Sequence, residues 1–240
     1  MGEKHQNRRG YSDTSRYYDT MYYRNVTPDP GIPGHLKRLV SRIGIRKGQR
    51  VLDVACGTGK WLLAVYDREA IPAGIDLSER AIRVCKVVMP NGDFCLGNGE
   101  ELPFGSAEFD LVSCLGALEH FIDPELALKD MVRVAKEDGR FLLLVPNAGF
   151  LTRRLGFYRG TEQIAVKEDV LTLQGWQELF EAAGLRILER WSDLHVLSWS
   201  WITAGPWYGI PLRAAQAFAL AVWPLSWQYQ VYHLCQKRKD

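Results

Sequence analysis

Two observations predict a doubly wound α/β fold, in which helices cover both faces of a mainly parallel sheet. From residue 34 onward, short apolar runs of strand length alternate with amphipathic segments of helix length. Neighbouring parallel strands need a crossover between them, and a helix packed on the sheet supplies it. The composition agrees, because 240 residues with 47% hydrophobic and 24% charged residues suffice for one folded core.

The first part of the chain predicts its elements in a regular order. A short helix over residues 12–23 is followed by a proline-containing linker that ends at residue 33. A helix at 35–43 then leads into alternating strands and helices. Strands are predicted at 50–54, 71–75, 93–96, 109–114 and 141–145, and helices from Lys60, from the N-cap Ser78 and over 124–135.

The second part of the chain is less regular. A helix at 174–183 and strands at 185–191 and 230–236 are predicted to complete the sheet. We therefore expect three units. They are an N-terminal lid segment at 1–33, a ligand-binding core at 34–146, and a C-terminal half at 147–240 with insertions at 147–173 and 196–228.

Charge and cysteine content exclude several classes of function. The formal net charge of +2 gives too weak a field to hold a polyanion, so nucleic acid is not the expected partner. The five cysteines form neither CxxC nor Cys/His ligand spacing, which predicts reduced thiols, a cytoplasmic location and no metal site. The first ten residues lack the apolar region of a secretory signal.

The run VLDVACGTG at 51–59 is the motif with the clearest chemical meaning. It predicts a buried strand, then a glycine turn that lets the backbone approach a ligand, then a helix. Asp76 ends the next strand, where its carboxylate can accept hydrogen bonds from both hydroxyls of a ribose. A nicotinamide cofactor would require glycine in place of Leu62, and Asp53 would repel a pyrophosphate but suit a cationic amino group. A nucleoside joined to an ammonium group describes S-adenosylmethionine.

These motifs resemble the class I S-adenosylmethionine-dependent methyltransferases, specifically their type 11-like small-molecule branch. The resemblance extends from residue 34 to about residue 144, and it includes four segments in the family's order: DVACGTG at 53–59, GIDLS at 74–78, GNGEELPF at 97–104 and FDLV at 109–112. It implies a seven-stranded Rossmann-like sheet, mostly parallel with one antiparallel edge hairpin strand. It also implies a helical lid at the N-terminus and an inserted cap.

The resemblance further implies which residues bind S-adenosylmethionine. The glycine loop and the first acid would contact the methionine end, the second acid the ribose, and the following residues the adenine. The end of the fourth strand would lie beside the methionine amino group. These residues are Asp53, Ala55, Cys56, Gly57, Gly59, Asp76, Leu77, Asn98, Gly99, Glu100, Cys114 and Leu115.

Methyl transfer makes few demands on catalytic side chains. The thioether that leaves needs no acid, so alignment and exclusion of water supply most of the acceleration. His120 is the candidate base for an acceptor that must lose a proton, although a histidine there can instead cap the segment at Asp123. Tyr18 and Tyr22 are the other candidates, because tyrosine faces stabilise a sulfonium, but they can equally pack the first helix down.

The sequence therefore predicts methyl transfer to oxygen, nitrogen or carbon of a small, hydrophobic or lipid-linked metabolite. Residues 196–228 are rich in Trp and contain Arg213 as their single charged residue, and a helix at 212–223 is apolar nearly all round. That insertion predicts a substrate cap, a homodimer face or a peripheral membrane contact aided by the basic run at 237–239. A nicotinamide-dependent oxidoreductase and a non-catalytic cofactor-binding subunit remain as alternatives.

Overall fold

The structure of this chain, a computed structural model, describes residues 14–154, 156, 169–194, 202–203 and 206–238. The start of the predicted lid and parts of both predicted insertions lie outside these residues. Within them, seven strands form one sheet in the order β3-β2-β1-β4-β5-β7-β6. The strands are β1 Arg50–Val54, β2 Ile71–Asp76, β3 Asp93–Leu96, β4 Phe109–Leu115, β5 Ala135–Pro146, β6 Leu185–Ser192 and β7 Gln230–Lys237.

The sheet is parallel from β3 through β5, and β7 runs antiparallel to both of its neighbours, β5 and β6. This arrangement confirms the predicted mostly parallel sheet with an antiparallel strand at one side. The carboxyl ends of β1, β2 and β4 meet at one edge of the sheet. In a doubly wound fold this edge is where a ligand binds.

Helices are placed and ended largely as the sequence predicts. Ser78 Oγ accepts a hydrogen bond from the N–H of Ala81, and Asp123 Oδ1 accepts one from the N–H of Leu126, so each caps the helix that follows it. The described helices are α1 (residues 14–17 and the π-helical turn Tyr18–Tyr22), α2 Gly34–Ile43, α3 Lys60–Tyr66, α4 Glu79–Val88, α5 Pro124–Val134, α6 Leu151–Arg154, α7 Leu173–Ala182 and α8 Ile210–Val222.

Apolar side chains fill both faces of the sheet, because successive residues of a buried strand point to opposite sides. In β5, Phe141 and Leu143 join the cluster that contains Trp176, whereas Leu142 and Leu144 join the cluster that contains Trp61. Both faces of the central strands are therefore buried by apolar side chains. This double burial explains why these strands are continuous apolar runs in the sequence.

The direction of β7 corrects one prediction about residues 196–228. Gln230 pairs with Pro146 at the carboxyl edge of the sheet, whereas Lys237 pairs with Leu185 at the opposite edge. A strand of this length separates its two ends by about 23 Å. The predicted cooperation between the basic run after β7 and the Trp-rich insertion is therefore wrong, because β7 holds them at opposite edges. Among the described residues, no helix is long and apolar enough to cross a membrane.

His233 in β7 gives the protein an expected pH dependence of stability. It is fully buried between Phe180 and the cation Arg190, and burial, followed by that charge, lowers its pKa from 6.5 to about 4. Between about pH 6.5 and pH 4, the unfolded chain therefore binds a proton at His233 that the folded chain does not bind. The free energy of unfolding should fall as the pH drops from about 6.5 to about 4, by up to about 1.4 kcal/mol per pH unit.

Urea unfolding at a series of pH values measures this dependence, with His233→Gln as the variant that does not titrate. The slope between about pH 6.5 and pH 4 should be shallower in the variant by close to one proton. Equal slopes in the two proteins would assign the acid sensitivity to other groups.

Candidate cofactor and active site

A cavity of about 380 Å³ opens at the carboxyl ends of β1, β2 and β4, with α1 on its outer side. Segments far apart in the sequence supply its walls, which is the expected placement for a ligand site in this fold. Twelve of the fifteen site residues predicted from the sequence line it. They are Tyr18, Tyr22, Asp53, Ala55, Cys56, Gly57, Asp76, Leu77, Asn98, Gly99, Leu115 and His120.

The three remaining predicted residues lie behind the cavity wall. Cys114 is fully buried on the side of β4 that faces the core, next to Leu115, which does line the cavity. Gly59 packs against α4, because a Cβ atom added to Gly59 would lie 2.8 Å from Cys85 Sγ. Glu100 is buried, and its Oε1 accepts hydrogen bonds from the N–H groups of Ile122 and Asp123. These three residues shape the site without facing it.

Asp76 is the carboxylate at the centre of the site. Its Oδ2 accepts the N–H of Gly57 at 2.8 Å, and its Oδ1 accepts the N–H of Ser78 at 2.8 Å. Burial raises its pKa, while these backbone donors lower it and so favour the charged form. Each oxygen keeps a lone pair for a further donor. Two hydroxyl groups of a ligand can therefore bind to a carboxylate that the backbone already orients.

The glycine turn after β1 has backbone angles that explain its composition. Gly57 has a φ of 53°, and a Cβ atom on it would lie 2.7 Å from the hydroxyl oxygen of Tyr23. Ala55 takes a φ of 60°, a left-handed conformation that a residue other than glycine rarely adopts. The turn thus brings backbone close to the cavity and to the first helix at the same time.

Asp53 also lines the cavity and is 3% exposed. Burial raises the pKa of Asp53 to about 7; a hydrogen bond that Ser113 donates lowers it, and the nearby Asp76 raises it further. A cationic group placed beside Asp53 would restore its ionised form. The carboxyl group is therefore suited to bind an ammonium group.

The first helix is fastened over the cavity by polar contacts with α4 and the segment before it. Ser15 Oγ donates to the carbonyl of Leu77 at 2.8 Å, and Asp19 Oδ1 accepts from Ser78 Oγ at 2.5 Å. Burial and the charge of Asp76 raise the pKa of Tyr18 to about 12, so its phenol stays neutral. These contacts agree with the predicted helical lid. They do not test the predicted catalytic role of Tyr18 or Tyr22.

His120 lines the cavity at the end of a short 3₁₀ turn, Leu118–His120, that follows β4. The helix after it is capped by Asp123 itself, so His120 is not needed as its cap. Glu100 fixes the backbone on the far side of this turn. The structure thus brings His120 to the cavity that holds Asp53 and Asp76, and its chemical role stays a prediction.

Several lining residues were not selected from the sequence as cofactor-binding or catalytic residues. Lys60 Nζ donates hydrogen bonds to Asp29 Oδ2 and to two carbonyl oxygens of the linker. These bonds hold the linker against the start of α3. Tyr23 follows the first helix, and its hydroxyl oxygen lies close to Gly57. Thr58 and Gly97 lie within the recognised motifs without being selected individually. These lining residues are Lys60, Trp61, Tyr23, Thr58, Gly97, Gly116 and Phe121.

Comparison with known sequences identifies the central part of the chain. Residues 52–143 match a family model described as a methyltransferase domain. A demethylmenaquinone methyltransferase of Staphylococcus aureus is 34% identical over 147 residues, which cover 59% of this chain and 60% of that protein. The uncharacterized methyltransferase YcgJ of Bacillus subtilis is 32% identical over 173 residues, covering 67% and 66%. The matched part thus spans less than two thirds of these relatives.

Comparison with solved structures supports the same family through the fold. A Burkholderia thailandensis 1,6-didemethyltoxoflavin-N1-methyltransferase, solved with bound 1,6-didemethyltoxoflavin and S-adenosylhomocysteine, gives a TM-score of 0.64 at 17% identity. The match covers 98% of this chain and 90% of that chain. At this identity the likeness shows the fold alone. Taken together, the matched domain and the sequence relatives show that residues 52–143 belong to the S-adenosylmethionine-dependent methyltransferase domain family, in its type 11-like branch.

Proposed function

We propose that this protein transfers a methyl group from S-adenosylmethionine to a small-molecule acceptor. The observation that carries the proposal is one cavity that contains two buried carboxylates, Asp53 and Asp76, joined by a glycine turn. One carboxylate suits the ammonium group and the other suits the ribose hydroxyls. The apolar wall formed by Leu77 and Phe121 suits the adenine. The residues present therefore fit the cofactor of the family.

The chain's own contribution to the reaction is binding, alignment and exclusion of water. The bound cofactor supplies an activated methyl group on a sulfonium. Tyr18 and Tyr22 of α1 line the cavity, and the faces of their rings can stabilise a nearby cation. We assign His120 as the base that removes a proton from an acceptor when the acceptor carries one. Tyr18 and Tyr22 are assigned to the electrostatic environment of the sulfonium.

We infer that the acceptor is hydrophobic. The segment between β6 and β7 leaves and re-enters the sheet at the carboxyl edge, where the cavity opens. Its helix α8 contains no buried residue, and Leu212 and Phe218 are more than 70% exposed. The name of the Staphylococcus aureus relative, demethylmenaquinone methyltransferase, supports a lipid-like acceptor.

Transfer of labelled methyl groups tests both parts of this proposal. Purified protein is mixed with S-adenosylmethionine carrying a labelled methyl group, and with either a total lipid extract or an aqueous metabolite extract of cells. Label should enter an organic-soluble product with the lipid extract. Label found solely in aqueous products would contradict the hydrophobic acceptor. If S-adenosylhomocysteine binds but no extract accepts label, the protein is the non-catalytic subunit. Absence of S-adenosylhomocysteine binding would contradict the cofactor assignment.

The organisation of the chain and the role of its exposed helix α8 are further parts of the proposal. We propose the division into lid (1–33), core (34–146) and C-terminal half (147–240), as well as a cytoplasmic location. The exposed apolar side chains of α8 are compatible with a substrate cap, and a homodimer or membrane contact there stays a prediction. Sedimentation velocity, with and without phospholipid vesicles, distinguishes these three arrangements.

A further inference from the structure

A buried hydrogen-bond chain runs from Trp61 through Ser113 to Asp53. Trp61 Nε1 donates to Ser113 Oγ at 3.0 Å, and Ser113 Oγ lies 2.6 Å from Asp53 Oδ1. The same hydroxyl oxygen lies 3.1 Å from the carbonyl oxygen of Leu52. Asp53 and Ser113 are direct partners in the register of β1 and β4, so the backbone fixes their relative positions. Ser113 is 0% exposed and Trp61 is 3% exposed.

The hydrogen-bond capacity of Ser113 matches both protonation states of Asp53. A hydroxyl group has one proton to donate, so Ser113 cannot donate to Leu52 and to Asp53 at once. When Asp53 is a carboxylate, the hydroxyl donates to its Oδ1. When Asp53 is protonated, the acid donates to Ser113 Oγ and the hydroxyl proton turns to the Leu52 carbonyl. Trp61 donates to Ser113 in both states. A buried polar group therefore keeps a partner whichever state Asp53 adopts.

We propose that Ser113 and Trp61 are positioning residues that allow Asp53 to be a neutral acid in the unliganded protein and a carboxylate when it binds a cationic amino group. Binding of such a ligand near neutral pH then releases one proton from Asp53. The identity of the ligand, an S-adenosyl amino acid, rests on the function proposed above. The arrangement of Trp61, Ser113 and Asp53 does not.

The charged groups around Asp53 set the direction of the pH dependence. Burial raises the pKa of Asp53 to about 7, Ser113 lowers it and Asp76 raises it. A hydrogen bond with Cys85 and burial raise the pKa of the nearby Cys56 thiol well above its usual range, and burial does the same for the pKa of Cys114, so both thiols stay neutral. Below about pH 7 the ligand must displace a proton, so affinity should fall as the pH falls and level off above it. The cavity also contains Lys60 and His120, and Lys60 Nζ is held by Asp29.

Calorimetry with S-adenosylhomocysteine, performed in two buffers of different ionisation enthalpy, counts the protons released. The wild-type protein should release close to one proton per ligand at about pH 6 and close to none at about pH 8, with about tenfold weaker binding at the lower pH. Asp53→Asn should release none. Ser113→Ala removes the donor to the carboxylate, so the inflection of affinity should move upward by about one pH unit. Ser113→Thr should restore it. Trp61→Phe should shift it in the same direction as Ser113→Ala, because a hydroxyl that accepts the indole N–H is a stronger donor to the carboxylate.

Infrared spectroscopy of the unliganded protein separates this inference from the proposed function. A protonated carboxyl band that titrates near neutral pH should be present in the wild type, absent in Asp53→Asn and displaced in Ser113→Ala. Binding without proton release, or an unchanged profile in Ser113→Ala, overturns the positioning role and leaves the function intact. No binding at any pH, together with the expected infrared bands, overturns the function and leaves the positioning role intact.

Discussion

Asp76→Ala should weaken S-adenosylhomocysteine binding by about 2–3 kcal/mol, which is roughly 30- to 160-fold. The substitution leaves two ribose hydroxyls without their acceptor. It also removes the acceptors for the N–H groups of Gly57 and Ser78, so the glycine turn and the start of α4 lose a shared anchor. Calorimetry measures the affinity, and circular dichroism verifies that the variant remains folded.

Asp67→Ala is the matched control for this prediction. Asp67 is exposed at the end of α3 and does not line the cavity, so its removal should leave affinity unchanged. If folded Asp76→Ala protein binds as tightly as the wild type, the ribose does not bind to this carboxylate, and the orientation proposed for the cofactor is wrong.

His120→Ala should lower kcat by about 100-fold if His120 deprotonates the acceptor, because a positioned base contributes on that scale. The affinity for S-adenosylhomocysteine should stay the same. The fall of the wild-type rate at acidic pH, which reports protonation of the base, should disappear in the variant. The assay uses the acceptor identified by methyl labelling.

A second histidine provides the control for non-specific effects. His35 lies on α2 and is not part of the cavity lining, so His35→Ala should retain the wild-type kcat and pH profile. A loss of less than about tenfold in His120→Ala, with the acidic limb retained, would assign His120 to packing of the cavity wall.

The sequence predicted local features better than it predicted contacts across the sheet. The bounds of β1 and β3 agree with the predicted 50–54 and 93–96, because apolar runs bounded by turn residues define such strands. The predicted strand at 141–145 was too short. Its observed range, Ala135–Pro146, includes Gly139, which resembles a turn residue when only the sequence is considered. The structure accommodates it by a register shift in the pairing with β4, between Ala135 and Arg140.

The site shows the same division between local and long-range information. Asp53, Gly57 and Asp76 were predictable because each lies at or near the end of a strand within a recognisable motif. Ser113 carries no such signal, since its role depends on pairing with a residue 60 positions earlier in the chain. The buried position of Glu100 likewise depends on contact with residues 22 and 23 positions later.

The antiparallel course of β7 has a consequence for the segment that connects β6 to β7. Ser192 and Val231 are register partners, so the intervening segment starts and ends at neighbouring points on one edge of the sheet. Such a segment is a long connection whose two ends are fixed close together. Its length or composition can change without disturbing the strands on either side of it. Residues 193–229 can therefore be exchanged as one unit while the strands beneath them stay constant, and we expect such exchanges to alter which acceptor the proposed enzyme admits.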